Sequence, residues 1–133
     1  MARAIFSVAA GGALGAIGRY LLLAWLGGVD DGFLPWGTVA ANIAGALLLG
    51  IVVRLVERGA FGEGTRLFLA VGLLGGFTTF SFFTIENFDL LRDDRYLALM
   101  INAGGQLIVG TLSAILGYWL AGRLRSSAPH SED

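Results

Sequence analysis

Hydroxyl side chains follow two adjacent glycines inside an apolar stretch of the chain, residues 72–84. Gly75 is the first of the two glycines, and Thr78, Thr79 and Ser81 come shortly after it. In lipid hydrocarbon every peptide N–H and C=O needs a partner, so a helix can break there only where protein or a polar cavity surrounds the break. These residues therefore predict a functional interruption of the helix, with the three hydroxyls placed around it. Close helix packing at the glycines, with the hydroxyls bonded to their own helix, is the alternative.

Three amide side chains fall within other apolar stretches. Asn42 lies near the middle of one stretch, while Asn102 and Gln106 stand four residues apart in another and so share a helix face. Polar residues are costly inside a membrane and tend to face the protein interior. An amide offers two N–H donors and one carbonyl acceptor, which makes all three candidates for lining a pore. The alternative is that they only join helices by hydrogen bonds.

One arginine and two phenylalanines are the other candidates. Arg19 is the one charge inside a predicted span, where it would extend to the membrane surface, pair with Glu86, or give a positive potential to a wet vestibule. Phe80 and Phe83 are three residues apart and share a helix face. A phenyl ring has a negative face and a positive edge, so ring edges would attract an anion and ring faces a cation. The sequence leaves the orientation of the rings open.

The composition indicates that these residues are carried by membrane helices. Hydrophobic residues make up 56% of the 133 residues and charged residues 14%. A helix needs about 20 mostly apolar residues to cross a bilayer. Gly11 and Gly15 form a GxxxG step, which predicts close helix packing. We predict an all-α integral membrane protein whose third helix is broken near its middle, with helices at 4–26, 36–56, 67–86 and 97–121.

The connections between these helices are too short to hold a soluble domain. We expect residues 1–125 to form one transmembrane domain and residues 126–133 to be a disordered tail. The sequence has no cysteine, and its one histidine, His130, lies in that tail. Thiol chemistry and histidine or cysteine metal ligation are thereby excluded, which disfavours an enzyme. No nucleic-acid partner is predicted.

The motifs resemble those of the CrcB/Fluc family of fluoride channels. The resemblance runs through GGALGAIGRY at 11–20, WGTVAANIAG at 36–45, GLLGGFTTFSFF at 72–83 and the glycine-punctuated fourth helix. It implies a dual-topology homodimer of antiparallel subunits with two pores at their interface. Such a protein would span the cell inner membrane several times and export cytoplasmic fluoride passively.

The resemblance also implies roles for individual residues. A structural sodium ion at the dimer centre would be held by the backbone carbonyls of Gly75 and Thr78. Phe80 and Phe83 would line the pore together with Asn42. Arg19 would lie in the vestibule.

Four further residues are pore candidates. The Thr79 and Ser81 hydroxyls could replace water around fluoride, as a selective pore must do. On the fourth helix the family often places tyrosine and serine hydroxyls, whereas this chain has Asn102 and Gln106. Both amides remain hydrogen-bond donors.

Two alternatives concern transport and assembly. A small dual-topology exporter coupled to protons would need a titratable group in the membrane, and the predicted helices carry no carboxylate near their centres, since Glu86 falls at an end.

Six arginines fall on the predicted side of the termini and three on the other. The positive-inside rule then favours one orientation, which leaves open a heterodimer with an oppositely oriented paralogue.

Overall fold

The computed structural model describes residues 1–27 and 32–123, and these residues form helices and connections without a strand. Four stretches are long and apolar enough to cross a membrane: Ala2–Leu26, Trp36–Glu57, Glu63–Arg92 and Tyr96–Arg123. The predicted all-α architecture with four spans is therefore confirmed. The predicted tail, residues 126–133, lies outside the described residues. The helical segments are α1 (Ala2–Leu26), α2 (Trp36–Glu57), α3 (Glu63–Arg66), a π-helical segment (Leu67–Leu74), α4 (Gly75–Phe77), α5 (Phe80–Arg92) and α6 (Tyr96–Arg123).

The third span extends six residues further than the sequence indicated. The predicted helix stopped at Glu86 because that is the first charge after the apolar run. In the structure Glu86 is buried, and α5 continues to Arg92, which forms an i,i+3 ion pair with Asp89 at 3.2 Å. The charge of Glu86 therefore does not end the helix, because packing buries that residue.

The α1 helix packs against the third span through glycines. A Cβ atom added to Gly11 would lie 2.3 Å from the carbonyl oxygen of Phe68, and one added to Gly15 would lie 2.0 Å from that of Leu73. The backbones therefore approach more closely than any side chain would allow, as the GxxxG step predicts.

A second glycine contact joins α2 to α6. A Cβ at Gly50 would lie 2.1 Å from the Ala114 carbonyl oxygen, and one at Gly117 would lie 2.0 Å from that of Leu47. The α6 helix also has a surface that is not packed in this way. A Cβ at Gly110 would meet no atom within 4 Å among the described residues, and the same holds at positions 104 and 105.

The backbone is extended between α4 and α5. Thr78 has φ −78° and ψ 158°, and Thr79 has φ −149° and ψ 123°. Gly75 has helical dihedrals, φ −64° and ψ −36°. The Thr79 hydroxyl accepts a hydrogen bond from the Phe82 backbone N–H at 3.2 Å, which caps the first turn of α5. The non-helical residues are thus the threonines rather than the glycines.

Candidate functional site

A groove of about 400 Å³ opens on the surface between α2, α5 and α6. Polar side chains reach it from all three sides, with Thr111 of α6 among them, and its apolar lining includes Ala46, Leu49 and Leu107. The predicted site residues that line it are Asn42, Thr78, Thr79, Phe80, Phe83 and Gln106.

Four predicted residues lie outside the lining. Gly75 is exposed on the surface, and the Ser81 hydroxyl lies 3.3 Å from that of Thr79. Asn102 is almost fully buried and reaches the groove only through Gln106. Arg19 is placed beside the junction, 3.5 Å from the Thr78 carbonyl oxygen.

Asn42 holds the extended backbone of Thr79 by hydrogen bonds in both directions. The Thr79 N–H donates to Asn42 Oδ1 at 2.7 Å, and Asn42 Nδ2 donates to the Thr79 carbonyl at 3.0 Å. In an uninterrupted helix that N–H would bond to the Gly75 carbonyl four residues earlier. Asn42 thus pairs with both backbone groups of Thr79, whose own conformation is not helical.

The amide groups continue from Asn42 as a hydrogen-bonded chain. Asn42 Nδ2 donates to Gln106 Oε1 at 2.8 Å, and Gln106 Nε2 donates to Asn102 Oδ1 at 2.8 Å. Asn102 Nδ2 in turn donates to Asn87 Oδ1 at 2.9 Å. Asn87 was missed at the sequence level because the predicted third helix stopped one residue before it. The sequence did contain a signal for it, because Asn87 is an amide shortly after a long apolar stretch.

Glu86 has a different partner from the one that the sequence suggested. Its Oε1 accepts a hydrogen bond from the buried Thr38 hydroxyl at 2.6 Å, and its Oε2 is buried without a hydrogen-bond partner among the described residues. Arg19 instead lies over the Phe82 ring, 5.6 Å from its centroid. The suggested Arg19–Glu86 pair is therefore wrong.

The two phenylalanines of the groove contact each other. The ring centroids of Phe80 and Phe83 are 5.7 Å apart, and the ring planes are inclined by 37°. Phe80 is 78% exposed, whereas Phe83 is half-buried. A ring as exposed as that of Phe80 faces either lipid or another protein chain.

Four apolar helical spans, with a largely apolar groove between them that carries a few polar side chains, define a small multi-pass membrane protein. A family model described as CrcB-like protein, Camphor Resistance (CrcB), matches residues 6–118. The chain belongs to this family, which confirms the resemblance seen in the sequence motifs.

Relatives of similar length carry a functional name. A protein of Thermus thermophilus named fluoride-specific ion channel FluC is 46% identical over 117 residues, covering 88% of this chain and 92% of the relative. A Leptospira interrogans protein with the same name is 38% identical over 119 residues, covering 89% and 94%. A third, from Geobacter sulfurreducens, is 37% identical over 116 residues, covering 84% and 94%.

Proposed function

We propose that this protein is a fluoride channel that lets cytoplasmic fluoride flow passively out of the cell across the inner membrane. The observation that carries the proposal is the groove, whose lining combines the polar side chains of Gln106 and Thr79 with the Phe80 and Phe83 rings. The names of the relatives identify fluoride as the ion. In this proposal the protein conducts an ion and does not catalyse a reaction.

The chemistry of the groove suits a small, strongly hydrated anion. A dry apolar channel would reject fluoride, because the ion would lose its water without replacement. The Thr79 hydroxyl, the spare N–H of Gln106 and the positive ring edges of Phe80 and Phe83 supply that replacement stepwise, with the Ser81 hydroxyl 3.3 Å from that of Thr79. Arg19, with no carboxylate partner among the described residues, adds positive potential near the α4–α5 junction.

The working unit in this proposal is an antiparallel homodimer. The groove is open, and its polar groups would otherwise face hydrocarbon, where each unsatisfied group costs several kcal/mol. The exposed Phe80 ring and the unpacked Gly110 of α6 both line the groove. A second copy would cover both surfaces and close each groove into a pore.

Dual topology is tested by labelling a single introduced cysteine. The chain has no native cysteine, and Ala60 is exposed in the connection between α2 and α3. In Ala60→Cys we expect a membrane-impermeant thiol reagent to label about half of the protein from each side. Labelling from one side only, in cells that make no paralogue, would contradict the homodimer and favour a heterodimer.

The extended Thr78–Thr79 pair is, in this proposal, the break within the third membrane helix. Because the Thr79 N–H binds Asn42, the Gly75 carbonyl loses its helical donor. Within residues 1–27 and 32–123 the Thr78 carbonyl accepts only a long hydrogen bond from Arg19. Carbonyls freed at a helix break are ligands for sodium in membrane proteins. The Gly75 and Thr78 carbonyls fit a structural sodium ion, which would supply positive charge at the dimer centre and hold the two breaks together.

If backbone carbonyls bind the sodium ion, Thr78→Ala should keep its dependence on sodium. The Thr78 hydroxyl donates to the Leu74 carbonyl at 2.9 Å, so the variant loses that bond but keeps its own carbonyl. We expect replacement of sodium by N-methylglucamine to lower the dimer fraction in detergent equally in the parent and the variant. Size-exclusion chromatography with light scattering measures that fraction. Loss of the sodium dependence in Thr78→Ala would show that the hydroxyl, not the carbonyl, is the ligand.

A proton-coupled exporter remains the second candidate, because one observation favours it. Glu86 lies inside the third span, buried against Thr38, and not at a helix end as the sequence indicated. A titratable intramembrane carboxyl is what such a carrier requires. With valinomycin present to carry the counter-charge, a protonophore distinguishes the two. Fluoride efflux from liposomes should be unchanged for a channel and should collapse for an exporter driven by a proton gradient.

A further inference from the structure

We infer that Asn87 is a further anion-binding residue, whose amino group is held in place by a one-way chain of amides that begins at the backbone of Thr79. The inference rests on the proposed function and extends the conduction path from the groove toward the α5–α6 connection. Four amide side chains take part: those of Asn42, Gln106, Asn102 and Asn87.

The direction of the chain is fixed at one end. A backbone N–H can only donate, so the atom of Asn42 that faces the Thr79 N–H must be its oxygen. The Asn42 amino group then faces the Gln106 oxygen. Because the Gln106 oxygen is used in this way, its amino group must face the Asn102 oxygen, and the Asn102 amino group must in turn face the Asn87 oxygen. In every hydrogen bond of the chain an amide oxygen is the acceptor.

The number of amide protons left free of hydrogen bonds increases from Asn42 to Asn87. Each amino group has two N–H donors. Hydrogen bonds within the described residues use both protons of Asn42, one of Gln106, one of Asn102 and neither of Asn87. Because Asn102 is almost fully buried, its spare proton is shielded, while Gln106 and Asn87 are only partly buried. The chain therefore presents donors at the groove and at its far end.

The chemistry of this arrangement selects an anion. All four amide oxygens already accept an N–H, so the chain turns its positive hydrogen atoms outward and offers a cation little. Had the direction been reversed, Asn87 would present a free oxygen beside a single N–H, which is a weaker site for an anion. The backbone N–H of Thr79 therefore determines that the groups left free along the amide chain are N–H donors.

Asn87 also continues the surface that carries the ring pair. Phe80, Phe83 and Asn87 are at positions i, i+3 and i+7 of α5, so they share one helix face. Glu86 lies about 100° around the helix and is bonded to Thr38 of α2. Asn87 therefore follows Phe83 by one helical turn, on a different face from Glu86.

Isosteric substitution separates anion binding from a purely structural link between α5 and α6. In Asn87→Asp the carboxylate still accepts from Asn102, but both donors are lost and a negative charge is gained. We expect fluoride flux per folded dimer to fall at least tenfold in Asn87→Asp and about 10- to 100-fold in Asn87→Ala, the effect of losing a hydrogen bond to an ion. Thr84→Ala, which removes a hydroxyl that donates to the Phe80 carbonyl of its own helix, is the control and should conduct like the parent.

Side-chain amide NMR gives a readout independent of flux. The sequence contains three asparagines, so selective ¹⁵N-asparagine labelling yields three NH₂ pairs. We expect sodium fluoride, but not sodium chloride, to shift the pair that disappears in Asn87→Ala. Unchanged flux in Asn87→Asp, or no fluoride-dependent shift of that pair in a conducting parent, would overturn the inference. A parent protein that moves no fluoride would instead overturn the proposed function, and this inference with it.

Discussion

Asn42→Asp should reduce fluoride flux per folded dimer by about a thousandfold. The substitution is nearly isosteric, but it replaces the amino group that donates to the Thr79 carbonyl and to Gln106 by an acceptor. It also places a negative charge in the groove. Two like charges about 4 Å apart at an effective dielectric constant near 20 repel by about 4 kcal/mol, which corresponds to the stated loss of occupancy.

Asn42→Ser is the neutral control for this variant. A hydroxyl can both donate and accept, so we expect a weaker hold on Thr79 and a smaller loss of flux than with the charge. If Asn42 only joins helices, both variants will lower the yield of folded dimer while flux per dimer stays the same. An unchanged normalised rate for Asn42→Asp at neutral pH would remove Asn42 from the conduction path.

Gly15→Ala should destabilise the fold by about 3 kcal/mol, the upper end of the range for over-packing. The new Cβ would lie 2.0 Å from the Leu73 carbonyl oxygen and 2.8 Å from the Phe77 nitrogen. Both atoms belong to the backbone, so α1 must move away from the third span as a whole. Unfolding in mixed dodecyl maltoside and sodium dodecyl sulfate micelles, followed by tryptophan fluorescence, measures the change.

Gly12→Ala is the matched control on the same helix. A Cβ at Gly12 would meet only the Gly72 carbonyl oxygen, at 3.9 Å, which is an ordinary contact. Alanine has the higher helix propensity, by up to about 1 kcal/mol. We therefore expect Gly12→Ala to be neutral or slightly stabilising. Equal destabilisation by the two variants would contradict the packing of α1 described above.

The sequence predicted those features that depend on local composition. Apolar runs of sufficient length indicated four spans, and the Gly11–Gly15 step indicated close packing of α1. Asn42 and Gln106 were identified because an amide inside an apolar run is costly and needs a partner. These predictions required no knowledge of which helices are neighbours.

Features that depend on contacts between distant residues could not be predicted. The extended backbone lies at Thr78 and Thr79 rather than at Gly75, because Asn42, 37 positions before Thr79, satisfies the backbone there. The role of Asn87 was hidden because burial against α2, which the sequence does not show, carries α5 past Glu86.

The central claim is selective passive fluoride conduction, and efflux from liposomes tests it most directly. Purified protein is reconstituted into vesicles loaded with potassium fluoride and potassium chloride, valinomycin is added to carry the counter-charge, and ion-selective electrodes follow both anions. We predict rapid release of fluoride with little release of chloride and no requirement for a proton gradient. Equal release of the two anions, or no fluoride release above that of protein-free vesicles, would contradict the account.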